Sequence, residues 1–448
     1  MPAILGIPLP LAETEITTTG QTFSGTNLLR TYIMKALSLR LFVLIAALSI
    51  ALTQSARASN PVVDWNQIAL TTALTTPGTQ IYLTYVNLAM YDAVNAIDRR
   101  YQQYGPEFHG PRDASKEAAA ISAAYQTLLY YFPAQTAALQ AQYDSAIAGI
   151  PDDQAKASGI AIGQIAAARI VALRANDGRG ASVPYTYPAA PEPGVWIATP
   201  PAFAPPAMPW VAQMVPFTMR SASQFLPVNG PPDLGSRQWA REYNEVKLLG
   251  AVNSTVRTPA QTEIALFWTA NPVATYFGAF RQLAVDRHLS ISKSARLLAM
   301  LSVAFTDAGI GCWNAKYHFS FWRPVTAIPN GDIDGNPETE ADPTWLPLAP
   351  TPPHPEFPAA HGCATGAIAK TLENFFGTPD VKFTINSAAT HTTHTYYTVG
   401  QLETEAYWAR IYAGFHYRHS LNEGFRLGHR VAKQLNQDFF QPRHADDH

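Results

Sequence analysis

Residues 188–210 read PAAPEPGVWIATPPAFAPPAMPW, the densest part of a Pro-, Gly- and aromatic-rich segment covering 183–235. Proline has no amide hydrogen and fixes φ, so no helix is expected to run through this stretch. The chain is thereby cut into two parts, 59–182 and 236–440. Trp196, Phe203, Trp210 and Phe217 are interleaved with the prolines. Aromatic rings seek burial, which favours a strap lying over a helical core above a flexible linker.

Both flanks are helical in pattern. In YVNLAMYDAVNAI (85–97), Val86, Met90, Ala93 and Ile97 share one stripe. Asp113 and Ser115 are candidate caps for SKEAAAISAAYQTLLYYF, with Pro133 just beyond its end, and a further helix runs through 152–176. Helical patterning returns from Arg237 in REYNEVKLLG, AQTEIALFW, SARLLAMLSVAFTDAGIGCW, HGCATGAIAKTLENFF and EGFRLGHRVAKQLNQDFF. No alternating pattern of useful length competes with these, and no solenoid period repeats. The expected fold class is all-α, helix bundles around a shared core with the irregular strap between two helical halves. With 448 residues, 47% hydrophobic and 14% charged, the chain is long and apolar enough to bury such a core.

From Met34 the sequence runs MKALSLRLFVLIAALSIALTQSARA, with Lys35 and Arg40 ahead of an apolar run from Leu41 to Leu52 and small residues at Ala56 and Ala58. That is the pattern of a secretory signal peptide over 34–58. The apolar run is short for a membrane span, which needs about 20 residues. A mature, exported protein beginning near Ser59 is expected, periplasmic or secreted, with Met34 as the true start. An uncleaved anchor is the competing reading. The net charge of -2 leaves no global basic excess for nucleic acid, so any anion site must be local. Cys312 and Cys363, the two cysteines, have no zinc spacing; they form either one bridge or two buried thiols.

Three segments carry candidate chemistry. In Lys316-Tyr-His-Phe-Ser-Phe-Trp-Arg323-Pro324, seven residues make two helical turns, which puts both cations on nearly one face with Pro324 ending the helix. Taken alone, these two cations read equally as solvated or paired with an acid such as Asp307. In PPHPEFPAAHG (352–362), prolines stop before a helical run, so His361 and Gly362 lie where first-turn amides bind anions. In Arg410-Ile-Tyr-Ala-Gly414-Phe-His416, Gly414 is expected to end a helix, and Ser420 with Glu423 has the spacing of a capping box that starts the next. His416 then falls in the turn between them. A capping or surface histidine is the bland alternative for His361.

Together these segments resemble the signature of the vanadium haloperoxidase and type 2 phosphatidic acid phosphatase superfamily: K-x6-R-P, P-S-G-H and S-R-x3-G-x-H. Here they stand at 316–324, 358–361 and 409–416. The stretch TDAGIGCWNAKYHFSFWRP is similar to fungal-type members and LAMYDAVNAI to bacterial ones, so the likeness covers most of 60–435. The resemblance implies a vanadate cofactor, with Lys316, Arg323 and Arg410 neutralising oxyanion oxygens and Gly362 or its neighbours donating amides. It further implies His416 as the sole protein bond to vanadium, His361 as acid–base residue, and Lys316 polarising the bound oxidant. In a phosphatase the same resemblance implies no cofactor, His416 attacking phosphorus and His361 protonating the leaving alcohol.

The chain departs from the signature at Ala359, Ala360 and Ala409. Losing one bond to a charged oxygen is worth about 1.5–3 kcal/mol. The acid that the family often carries four residues after its last histidine is Ser420 here, which leaves His416 needing another orienting partner. His354 stands where several bromoperoxidases of the family carry histidine, which leans towards bromide; a solvated histidine between prolines is the alternative. The expected function is an exported vanadate-dependent haloperoxidase taking hydrogen peroxide, a halide and an organic acceptor, with no nucleic acid and no stable membrane partner. An exported acid phosphatase with a phosphohistidine intermediate is the alternative, and a non-catalytic anion-binding protein the third.

Overall fold

Capping side chains and prolines set most of the helix starts in the computed structural model, which describes residues 60–443. The leader expected over 34–58 lies outside the described residues. The first half comprises α1 (Pro61–Ala73), α2 (Thr79–Asp98), α3 (Lys116–Tyr131), α4 (Thr136–Ala148) and α5 (Gln154–Leu173). Asn60, Ser115 and Asp153 accept first-turn amides of α1, α3 and α5, as small polar N-caps do. α2 is buried on every side from Ile81 to Ile97, the mark of a core helix, and packs against α3 and α5.

The second half comprises α6 (Arg237–Leu249), α7 (Pro259–Phe267), α8 (Pro272–Asp286), α9 (Ile291–Phe319), α10 (Pro324–Ala327), α11 (Ala360–Phe376), α12 (Val399–Tyr412) and α13 (Arg418–Asp438). α9 joins the halves, touching α2 on one side and α11 and α13 on the other. The fold is thus mainly helical, as its periodicity indicates. One element has no counterpart in the sequence pattern: β1 (Phe383–Asn386) pairs antiparallel with β2 (Thr393–Tyr396). Its strands, FTIN and THTY, are four residues each and too short and polar to alternate legibly.

The proline-rich segment lies along the C-terminal part of α9. The Trp196 amide donates to the Ser320 carbonyl at 2.7 Å, and the Trp322 amide to Gly194 at 3.2 Å. Trp313 Nε1 and the Tyr317 hydroxyl both donate to the Ala207 carbonyl, at 3.0 and 2.7 Å. Trp196 and Phe217 are buried, whereas Phe203 is 63% exposed. Helix is not wholly absent here. Pro209–Gln213 forms a single 3-10 turn, which Pro209 tolerates because it stands first, where an amide hydrogen has no helical partner.

Candidate active site

The first cationic limb sits at the end of α9. Lys316 occupies its last turn, fully buried, with Nζ donating to the carbonyls of Pro355 (2.8 Å) and Glu356 (2.9 Å). Asp307 is not its partner, since that carboxylate accepts the amides of Phe217 and Thr218. The expected two-turn helix carrying both cations is not formed. Ser320, at φ 48°, ends α9 in the left-handed region, and Pro324 opens α10 with Arg323 as its N-cap residue. Lys316 and Arg323 therefore meet through a chain reversal, and the proline initiates helix because its missing amide hydrogen costs nothing at that position.

Arg323 is fully buried and staples two other segments together. Nε donates to the His354 carbonyl at 2.9 Å, Nη2 to His354 Nδ1 at 2.9 Å, and Nη1 to the Phe415 carbonyl at 2.9 Å. Nη1 also lies 3.0 Å from His416 Nε2. His354 is buried rather than solvated, its ring tilted against Trp313 at 5.0 Å.

The second limb supplies a residue that the motif reading passed over. Glu356 is fully buried; its Oε1 accepts from His416 Nδ1 at 2.8 Å and from the Tyr417 amide at 3.1 Å, while Oε2 has no hydrogen-bond partner. Burial pushes this carboxyl up to about 7 against the opposing pull of Arg323 and Lys316. The available signal was a lone carboxylate among prolines beside two cationic segments, together with an imidazole lacking its usual acid.

His361 lies in the first turn of α11, whose N-cap residue Ala359 offers no side-chain cap. Its Nε2 is buried without a partner, and Trp268 stands edge-on to the ring at 6.1 Å. Burial, then the charges of Arg410, Lys316 and Arg323, hold His361 well below the ordinary histidine range. Gly362 faces α13 rather than the cavity: a Cβ there would stand 3.0 Å from the Leu421 carbonyl, so its missing side chain serves helix contact.

The third limb follows α12. Arg410, in its last turn, is 2% exposed, donates from Nη1 to the Trp268 carbonyl at 2.9 Å and lies over Phe415. Its Nε has no partner. Gly414, at φ 76°, turns the chain so that His416 faces Arg323. Ser420 does not start the next helix. α13 begins at Arg418, the Glu242 carboxylate on α6 takes the His419 amide at 2.8 Å, and the Ser420 hydroxyl donates to the Glu356 carbonyl at 3.3 Å. A tertiary carboxylate thus replaces the local cap.

Burial lowers Lys316 to about 8, with Arg323 adding to the depression, and holds His416 well below the usual imidazole range. Cys312 and Cys363 are both free and buried, the former 3.6 Å from the Pro358 carbonyl. His354, His361, Arg410 and His416 line one cavity of about 780 Å3, walled by Trp268, Tyr276, Phe305 and Trp313 and closed partly by residues 74–80 of the first half. Lys316 and Arg323 stand in the layer behind it. Among the described residues no group of three or more His, Cys, Asp or Glu side chains is placed to hold a metal cation; the buried cations beside three imidazoles offer anion binding.

A profile of the VCPO second helical-bundle domain matches residues 296–443, a stretch containing Lys316, Arg323, His361, Arg410 and His416. The chain is 30% identical over 210 residues to the vanadium chloroperoxidase of Curvularia inaequalis; the match covers 38% of this chain and 34% of that protein, so it spans about a third of that relative's length. A bacterial vanadium-dependent iodoperoxidase superposes with a TM-score of 0.73 at 22% identity, covering 86% of this chain and 96% of that one. A bacterial vanadium-dependent chloroperoxidase in its holo form gives 0.62 at 16% identity, over 86% and 93%. The chain therefore has the vanadium haloperoxidase fold, and its residues 296–443 belong to the VCPO second helical-bundle domain family.

Proposed function

We propose that the chain is a vanadate-dependent haloperoxidase, oxidising a halide, bromide by preference, with hydrogen peroxide to a hypohalous species. The observation that carries this reading is the meeting of three buried cations, Lys316, Arg323 and Arg410, with His416 Nε2 against one buried carboxylate, Glu356. Buried charge left uncompensated is costly, so this excess calls for an anion.

The residues present fit a tetrahedral oxyanion. Arg410 Nε and His361 Nε2 are buried polar atoms without partners, and the first-turn amides of α11 lack a side-chain cap. Vanadate, when bound, supplies the Lewis acid that activates peroxide towards halide. His416 would hold it through Nε2, once Arg323 Nη1 turns from that nitrogen to an oxyanion oxygen. Lys316 keeps a third ammonium hydrogen beyond its two carbonyl bonds, and Arg410 keeps its Nε–H. His361, neutral at physiological pH, would accept a proton at Nε2 and return it. Aromatic walls flank these groups, and His354 borders the space a halide would enter. The signal-like pattern over 34–58 supports export, which suits an enzyme releasing a reactive oxidant.

The test is bromination of a phenolic dye by purified protein with vanadate, peroxide and bromide, repeated with chloride and iodide. Vanadate should restore bromination after phosphate removal, and His416→Ala should abolish it. Release of p-nitrophenol from p-nitrophenyl phosphate by vanadate-free protein, without halogenation, would replace this reading with the phosphatase, since the same Nε2 lone pair can attack phosphorus. N-terminal sequencing of the secreted form should begin near Ser59.

A further inference from the structure

We propose that Glu356 is the positioning residue of His416, taking the Nδ1 proton and so presenting the Nε2 lone pair to the oxyanion, a task that the resemblance would have assigned to an acid at position 420.

The tautomer follows from the two groups that face the ring. A guanidinium has only donors, so Arg323 Nη1, 3.0 Å from His416 Nε2, requires a lone pair on that nitrogen. The single proton of the neutral ring is then on Nδ1, where Glu356 Oε1 accepts it at 2.8 Å. Both side chains are almost wholly buried, at 2% and 1% exposure, which strengthens both bonds. Oε1 also takes the amide of Tyr417, which ties the carboxylate to the backbone immediately after the histidine.

Glu356, on the second limb, is itself held by the other two limbs of the site. Its amide donates to the Phe321 carbonyl at 2.9 Å, and its carbonyl accepts from Lys316 Nζ at 2.9 Å and from the Ser420 hydroxyl at 3.3 Å. Ser420 thus secures the backbone that carries the acid instead of providing an acid itself. An imidazole ring fixed by a carboxylate on its far nitrogen is both oriented and more basic at the near one, and outer partners of this kind are typically worth about 10- to 100-fold in ligand affinity.

This inference rests on the oxyanion reading of the site, and the tests separate the two. Long-range 1H–15N spectra of 15N-histidine-labelled wild type should show the His416 ring protonated at Nδ1 and bare at Nε2; protonation at Nε2 overturns the proposal whatever the protein's activity. Glu356→Gln, close in shape, should weaken vanadate binding measured by equilibrium dialysis about 10-fold or more. Glu356→Ala should weaken it further, and Glu356→Ala with Ser420→Asp should recover at least part of that loss. Unchanged affinity in Glu356→Gln overturns the positioning role, as does a double variant no better than Glu356→Ala while its thermal unfolding matches wild type. Wild type that binds neither vanadate nor phosphate would instead sink the oxyanion reading and leave the tautomer measurement standing.

Discussion

Trp268 holds two of the candidate catalytic side chains at once: its carbonyl accepts from Arg410 at 2.9 Å, and its indole edge meets the His361 ring at 6.1 Å. The indole is fixed in turn by Nε1 donating to Glu405 at 3.0 Å, a carboxylate on α12 that also accepts from Tyr396 and His394. Trp268→Phe keeps a ring but removes one of the three hydrogen bonds to that carboxylate, which is expected to cost about 1–3 kcal/mol in thermal unfolding and to lower halogenation more than vanadate affinity.

Arg410 is the cation with the fewest internal bonds, one to Trp268 and none at Nε. Arg410→Ala should therefore weaken oxyanion binding by about 1.5–3 kcal/mol, roughly 10- to 100-fold, with little loss of fold stability. Titration calorimetry with vanadate or phosphate, beside a melting curve, checks both halves.

Lys316 predicts a pH limit. Its ammonium is lowered to about 8 by burial, below its ordinary value of 10.5. Above about pH 8 an oxyanion must bring a proton back to Lys316 on binding, so affinity should fall by up to about one decade per pH unit. For stability the sign is opposite. Between about 8 and 10.5 the unfolded chain holds the extra proton, so the anion-free protein gains stability as pH rises through that window. Sulfate, which does not titrate there, is the suitable probe; Lys316→Gln should bind more weakly and lose the alkaline limb.

Gly414 stands at φ 76°, and an added Cβ would lie 2.7 Å from the Gly250 carbonyl and 3.0 Å from Trp345. Gly414→Ala should cost at least about 1–2 kcal/mol of stability from the left-handed backbone alone. Because His416 follows two residues later, vanadate affinity should fall with it, which dialysis and melting curves would register together.

Periodicity and caps carried the helices because each depends on neighbours three or four residues apart, and Ser115 caps α3 as its place before KEAAA suggests. The spacing of Lys316, Arg323, His361, Arg410 and His416 was also legible, being a pattern within short segments. Ser420 was misread for the complementary reason: its local spacing to Glu423 fits a capping box, but Glu242 on a distant helix takes the amide and leaves the hydroxyl for Glu356. The β-hairpin escaped because a pair of four-residue strands has too few positions to alternate.

What the amino-acid order determined, then, is where helices run and which cations and imidazoles are offered, since both follow from short-range spacing and backbone chemistry. Only the tertiary structure decided that Lys316 and Arg323 meet across a chain reversal, that Gly362 serves a helix contact, and that Glu356 faces His416. Those relations join residues up to 60 positions apart, and they form because buried charge and buried hydrogen-bonding groups must find partners wherever packing brings them.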